Sequence, residues 1–291
     1  MSKKRIGIIG GSGFYSVDEI QIKRRIHVDT PFGDPSDEFD IAELHGREIV
    51  FLPRHGRGHR ILPSAINCRA NIWALKSLDV EWILSISAVG SMKKEIQPLD
   101  IVLIDQFIDR TRSRKDTFFG DGVAAHIVFA HPVCEELRKV VFEAGHETGE
   151  GSRLHWGGTY LNIEGPAFST RAESNLYRSW GLDVIGMTNL TEAKLAREAE
   201  ICYCTLAMVT DYDCWFEGHD HTVSVDVIME NLRRNIIAVK KIIHQAILNI
   251  PPERHCECAS ALANSIVTDP SMISREQSRR LDLLIGKYIQ K

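Results

Sequence analysis

Residues 186–215 read GMTNLTEAKLAREAEICYCTLAMVTDYDCW, and three structural signals follow one another in them. Gly186-Met187-Thr188-Asn189 is a small, polar turn behind the apolar pair Val184-Ile185. Residues 191–199 are helix formers, with Thr191 placed as N-cap and Lys194, Arg197 and Glu198 on the wet face. Residues 202–209, CYCTLAMV, are a short apolar run of the kind that makes a buried strand. This series places the chain in the α/β class. The run ends in Thr210-Asp211-Tyr212-Asp213-Cys214-Trp215. In open α/β sheets, ligands bind at the carboxyl ends of strands. Apolar walls there raise a carboxyl pKa, so that the group can donate a proton near neutral pH. The competing reading is a pair of solvated turn residues, because Asp is common in turns.

The chain has 291 residues, 44% hydrophobic and 25% charged, which supplies a sizeable core for one large domain or two small ones. A formal net charge of −4 argues against a nucleic-acid binder, which would carry a basic face. No apolar run approaches the length of a membrane-spanning helix. Lys3-Lys4-Arg5 precedes only four apolar residues before glycines, which suits a strand better than a signal peptide. A cytoplasmic protein without membrane contact is expected, with its seven cysteines free and mostly buried. Cys202/Cys204 and Cys256/Cys258 have C-x-C spacing, tighter than the usual zinc pattern, so no metal is expected from spacing alone.

Other strands end in a related way. Residues 4–15, KRIGIIGGSGFY, are a strand entering a glycine turn with Ser12. Residues 41–44 and 48–52 flank His45-Gly46 as a hairpin. The second of them runs into Arg54-His55-Gly56-Arg57-Gly58-His59-Arg60, a basic loop suited to a phosphate or another small anion. Residues 82–86 are a buried strand ending in Ser87-Ala88. Gly11-Ser12, Arg54-His55, Ser87-Ala88 and Thr188 would thus converge on one sheet edge as an anion pocket, beside the carboxylate pair. That combination suits an enzyme that brings phosphate to a heteroaromatic compound.

Helices are expected over 64–78, 132–144, 170–180 (Thr170 or Ser169 capping, with Glu173 placed for a capping box), 225–248 and 274–289. Residues 113–121 contain Phe118-Phe119-Gly120 and read as a mobile or binding-ordered loop. Phe168, as a lone aromatic at a strand–helix junction, reads as core packing, with a stacking platform as the alternative.

The motifs IGIIGGSG (6–13), DTPFGDPSD (29–37), RHGRGH (54–59), IEGPAFSTRAES (163–174), GMTNLTEAKLAREAEICY (186–203) and TDYDCW (210–215) give the chain a wider resemblance. So does the long run AVGSMKKEIQPLDIVLIDQFIDRT (88–111). With them the chain resembles the trimeric purine nucleoside phosphorylase family, on its branch that cleaves 5′-methylthioadenosine. The resemblance implies a single-domain phosphorylase fold over 1–250, with a mixed central β-sheet, partly barrel-like, flanked by helices. A C-terminal extension, 251–291, would pack its helix on the domain or on a neighbouring subunit. The implied reaction converts phosphate and 5′-methylthioadenosine to adenine and 5-methylthioribose 1-phosphate, with no metal or organic cofactor. Adenosine, inosine or methylthioinosine are the alternative substrates.

Residue by residue, the resemblance implies that phosphate is held by Ser12, Arg54, His55, Ser87, the Ala88 amide and Thr188. Ribose would lie at Met187 and the purine against Phe168 near Ser169. Asp211 would face N7 and the 6-amino group, and Asp213 the 6-amino group. The methylthio group would sit near His59, Val225 and Ile228. His126 would close the pocket of a neighbouring subunit, which implies a trimer or a dimer of trimers. The chain departs from the family at Ala167, where Arg is frequent, and at Asn189 and Thr191, where Thr and Pro are common. Two readings from other classes compete: a dinucleotide-dependent dehydrogenase, disfavoured by the absence of a G-x-G-x-x-G spacing, and a non-catalytic binding protein.

Overall fold

A computed structural model of the protein describes residues 4–11, 21–216 and 225–289. Ser12 and the turn holding His219 and His221 lie outside the described residues, as does the side chain of Val225. The strands are β1 (Arg5–Gly10), β2 (Gln21–Ile26), β3 (Phe39–Leu44), β4 (Arg47–Pro53), β5 (Val80–Ser91), β6 (Ile101–Leu103), β7 (Gln106–Arg110), β8 (Leu154–Trp156), β9 (Thr159–Ile163), β10 (Val184–Gly186) and β11 (Cys202–Tyr212). The helices are α1 (Cys68–Ser77), α2 (Glu135–Glu147), α3 (Arg171–Ser179), α4 (Asn189–Glu198), α5 (Val225–Asn249) and α6 (Arg275–Ile289).

The strands form one mixed sheet in the order β2-β3-β4-β1-β5-β10-β9-β7, with β11 on β5, β6 on β11 and β8 on β6. β5 is the branch point. Its first half pairs in parallel with β1 as far as Ser85, and its end pairs antiparallel with β10 at Gly90 and Ser91. β11 follows it in parallel along most of its length. Among the described strands, residues 86–89 of β5 therefore have a neighbour on one side only. The sheet opens there into a cleft.

Side chains of successive strand residues point to opposite faces. On β11, Cys202, Cys204, Leu206 and Met208 enter one core cluster with α2 and α5. Tyr203 enters another with α1, α4 and α6. Because both faces are covered, the run is apolar throughout rather than alternating. Each such buried aliphatic side chain contributes roughly 1.5–3 kcal/mol. Leu281, Leu284 and Ile285 of α6 belong to the second cluster, so the C-terminal segment shares the core of the main body. Among the described residues, no helix is long and apolar enough to cross a membrane.

The hairpin at His45-Gly46 forms as expected, with β3 antiparallel to β4. The capping box of α3 forms between Thr170 and Glu173. Three expectations change. Helix α4 begins at Asn189, with Thr188 rather than Thr191 as N-cap. Glu198 is buried instead of facing water, because its carboxylate accepts from the Thr117 hydroxyl and the Phe118 amide, both at 2.7 Å. Those two bonds also fix residues 113–121, and Phe118 and Phe119 are buried in the core. The short strands β2, β7 and β8 carry no strong alternation and were not expected from the sequence.

Candidate active site

The cleft beside β5 has a volume of about 530 Å³. Its wall brings together Arg54, His55, His59, Ser87, Ala88, Phe168, Ser169, Met187, Thr188, Asp211, Asp213 and Ile228. Of the sequence candidates, Ser12 and the side chain of Val225 lie outside the described residues. His126 is exposed and is not part of the wall of its own chain.

One end of the cleft is built for an anion. Ser87 and Ala88 lie on the open edge of β5, and Thr188 stands at the N-terminus of α4, where backbone N–H groups and the helix dipole favour negative charge. Thr188 makes no side-chain capping bond to the helix backbone, and its hydroxyl donates only weakly, to Asn189 Oδ1 at 3.5 Å. Tyr160 ties the two together: its hydroxyl lies 3.4 Å from Ser87 Oγ and 3.5 Å from the Thr188 amide. That approach requires Gly186, since a Cβ there would stand 2.0 Å from the Tyr160 oxygen.

His55 is largely buried, and its Nδ1 lies 2.8 Å from the Ile61 carbonyl oxygen. A carbonyl only accepts, so Nδ1 carries the proton and Nε2 is left as an acceptor. Burial lowers the His55 pKa to about 4, and the imidazole is neutral at physiological pH. His59 stacks on it with ring centroids 4.2 Å apart.

Arg54 reaches this wall from the buried side and is only 1% exposed. Its Nε and Nη2 both donate to the Glu192 carboxylate of α4, the latter at 3.0 Å. Nη2 also donates to Ser85 Oγ at 2.6 Å, and Nη1 to the Ile86 carbonyl at 2.9 Å. Burial works against the charge, but the Glu192 carboxylate outweighs it and raises the Arg54 pKa. Four of the five N–H groups of a guanidinium are thus used. The side that remains, at Nη1, faces Gly11, where a Cβ would come within 2.9 Å.

The opposite end holds the carboxylates. β11 shifts register between Val209 and Asp211, so that Asp211 faces Gly90 of β5 and Thr210 is the extra residue. Such bulges re-aim side chains. The bulge is held from α5, where Asn235 and Asn231 donate to the carbonyls of Val209 and Thr210 at 2.8 and 2.7 Å. Asp211 Oδ1 accepts from Thr210 Oγ1 at 2.6 Å. Burial nevertheless raises the Asp211 pKa to about 7, with a further rise from Asp213. Burial raises the Asp213 pKa too. The solvated-turn reading of the pair therefore does not hold.

Asp213 Oδ2 and Ser169 Oγ are buried without a hydrogen-bond partner, an arrangement that buried polar atoms avoid unless something is to be met there. The Cys214 thiol donates to the Ser169 carbonyl at 3.3 Å and joins the two loops. Phe168, next to them, is 69% exposed. It is a cleft-facing ring, not a core residue. Most of the rest of the wall is apolar, including Leu62, Ile163, Ile185, Met229 and Leu232.

Glu192, Tyr160 and Gly186 were missed as site residues by sequence reasoning. Only Gly186 left a signal, as the small residue opening the turn before Met187.

Comparisons with known proteins show the family. A profile of the phosphorylase superfamily matches residues 5–248. The chain is 58% identical over 285 residues to S-methyl-5′-thioadenosine phosphorylase of Geobacter sulfurreducens, covering 98% of this chain and 99% of that one. A crystal structure of methylthioadenosine phosphorylase from an antarctic soil metagenomic library superposes with a TM-score of 0.91 at 45% identity, covering 98% of this chain and 99% of that one. Methylthioadenosine phosphorylase of Schistosoma mansoni in complex with adenine superposes with a TM-score of 0.84 at 36% identity, covering 89% of this chain and 96% of that one.

Proposed function

The chain belongs to the phosphorylase superfamily, and from that membership and the cleft we propose that it cleaves 5′-methylthioadenosine with inorganic phosphate, giving adenine and 5-methylthioribose 1-phosphate. The observation that carries this reading is the pairing, in one cleft, of an anion end with a buried carboxyl poised near neutrality at Asp211.

Phosphate occupies the end formed by His55, Ser87, the Ala88 amide and Thr188. Ser12 completes it, and Arg54 supplies positive charge from behind. His55 Nε2 is an acceptor, so it meets the one P–OH that hydrogen phosphate still carries. Ribose spans the middle, against Met187. The purine lies on Phe168 near Ser169, with N7 toward Asp211.

As the C1′–N9 bond breaks, its electron pair goes to the purine and positive charge builds on the sugar. The Asp211 carboxyl gives its proton to N7, and adenine leaves neutral. A phosphate oxygen then bonds to C1′ from below, the P–OH proton is released to solvent, and solvent reprotonates Asp211 for the next turnover. General acid catalysis of this kind contributes roughly 10²–10⁴ in rate, and holding phosphate under C1′ turns a bimolecular attack into a local one. The chemistry uses phosphate as co-substrate and calls on neither a metal nor an organic cofactor.

The apolar side chains of Ile228, Met229 and Leu232 favour a thioether over a hydroxyl at C5′. The resemblance assigns to the same end His59, which stacks on His55, and Val225, whose side chain lies outside the described residues. At the purine, the unpartnered Asp213 Oδ2 accepts from the 6-amino group. A 6-oxo group offers no donor to the ionised Asp213 carboxylate and leaves its oxygen unpaired unless the carboxyl is protonated, at a cost of about 1–3 kcal/mol. Wild-type protein should therefore prefer methylthioadenosine to methylthioinosine by roughly 5- to 150-fold in kcat/KM. Asp213→Asn should narrow that gap, and an unchanged ratio in the variant would remove Asp213 from the recognition of C6.

Phe168→Ala should raise KM for methylthioadenosine about 3- to 10-fold with little change in kcat, as expected for a lost stacking contact. An unaltered KM would place the purine elsewhere.

The assembly fits the same account. His126 is exposed on the stretch that pairs with residues 265–267, beside Val128 and Val267, both largely exposed. This face suits contact with a second copy, whose cleft His126 would close in a trimer or a dimer of trimers.

The activity is tested by incubating purified protein with methylthioadenosine, with and without phosphate, and following adenine. Release that requires phosphate supports the proposal. Release that is indifferent to phosphate would make the protein a hydrolase, and no release would return it to the binding-protein reading.

A further inference from the structure

Away from the cleft, Cys134, Cys202, Cys256 and Cys258 bring their four sulfurs within 4.8 Å of one another. Their sources are far apart in sequence. Cys134 caps the N-terminus of α2, Cys202 opens β11, and Cys256 and Cys258 flank Glu257 where the C-terminal segment makes a short helical turn. The C-x-C spacing alone said little about a metal. The fold adds two further thiols to it. Cys256 stands in extended conformation just before that turn and Cys258 lies within it, and their sulfurs face one centre.

Two details favour thiolates at this point. The Cys134 amide donates to the Tyr203 carbonyl at 2.9 Å, which holds the start of α2 against β11. Cys134 Sγ accepts from the Leu137 amide at 3.5 Å, within the first turn of α2, where the helix dipole stabilises negative charge. The surroundings are dry: Cys134, Cys202 and Cys258 are buried in the core cluster shared by β11, α2 and α5, and Cys256 packs against it.

We propose that these four cysteines form a tetrahedral zinc site that clips the C-terminal segment to the body of the protein. A tetrahedron of Zn–S bonds of about 2.3 Å places its sulfurs about 3.8 Å apart, inside the envelope these sulfurs already occupy. Two disulfides would need only pairwise proximity, whereas here each sulfur is close to the other three. On binding, each thiol gives up its proton to solvent and its sulfur donates an electron pair to the ion, with no change of oxidation state. None of the four lines the cleft, so the ion is structural, and the proposal stands apart from the reaction assigned above.

The test uses the full chain, expressed with added zinc and purified without chelator or reductant. Metal analysis should give one zinc per chain, and denatured protein should titrate all seven cysteines as thiols once zinc is chelated. Reduced, metal-free protein given cobalt should show thiolate-to-cobalt charge transfer and the visible bands of a tetrahedral site. Cys258→Ser should lose the bound metal and melt at a lower temperature, while Cys204→Ala, a buried cysteine outside the cluster, keeps the metal. Should Cys258→Ser fail to fold, the cobalt spectrum of the wild type decides. Reduced wild-type protein that takes up neither zinc nor cobalt overturns the proposal. So does metal-free protein, as purified, whose denatured chains titrate fewer than seven thiols, because disulfides then hold the cluster.

Discussion

Asp211→Asn is expected to lower kcat/KM for methylthioadenosine by about 10²–10⁴-fold, the usual contribution of a general acid. The amide keeps the shape and the contact to Thr210 but has no proton to give to N7. The pH profile separates this role from a merely structural one. Burial raises the Asp211 pKa from 3.8 to about 7, so the competent, protonated form is present below that pH and is lost above it. Wild-type kcat/KM, which reports the free enzyme, should fall on the alkaline side with a midpoint near 7, and the variant should lack that limb.

Stability provides the control, and its sign is opposite to that of a salt-bridged acid. A carboxyl whose folded pKa is raised binds more protons when native, so stability falls as pH rises from about 4 through 7. Asp211→Asn removes that loss and should melt no lower than wild type at pH 8. A slow variant is then slow for want of the proton. Activity within a few-fold of wild type would show that some other group protonates the purine.

The second large effect is expected at Glu192. Glu192 and Arg54 have side chains 1% exposed, and they form a two-point ion pair behind the anion end of the cleft. Glu192 Oε2 also accepts from Ser85 Oγ at 2.8 Å and from the Tyr203 hydroxyl at 2.9 Å. Deleting one partner of a buried pair leaves an uncompensated charge and costs about 3–5 kcal/mol. Glu192→Ala should therefore lower the unfolding midpoint by roughly 5–8 °C for a chain of this size. It should also raise KM for phosphate more than KM for methylthioadenosine, because Arg54 loses the anchor that aims it at the anion end. A variant that melts like wild type would mean the pair is not buried as described.

How much of this was legible in the sequence follows from what each residue's role depends on. Arg54, His55, Ser87, Thr188, Asp211 and Asp213 each end or follow an apolar strand, and a strand end is a local pattern. Their convergence in one cleft could therefore be anticipated. Glu192 and Tyr160 act through partners dozens of residues away in sequence, and a buried carboxylate inside a helix looks like any exposed one. Phe168 was legible only through the resemblance, which set it against the purine: taken alone, an aromatic at a strand–helix junction is usually packed, and the sheet opening leaves this one facing the cleft. Glu198 was read as a wet-face residue because α4 is polar by composition, whereas residues 117 and 118 cover it with two donors. The C-x-C pair carried little metal signal by its spacing, and the fold sets it beside Cys134 and Cys202.

The most direct measurement of the central claim is a crystal structure of the protein with phosphate and an unreactive analogue of methylthioadenosine. The account predicts phosphate bonded to Ser87, Thr188 and His55 at one end, with the purine stacked on Phe168 and N7 within hydrogen-bond reach of Asp211. A purine bound with N7 away from Asp211, or phosphate held outside the anion end, would contradict it.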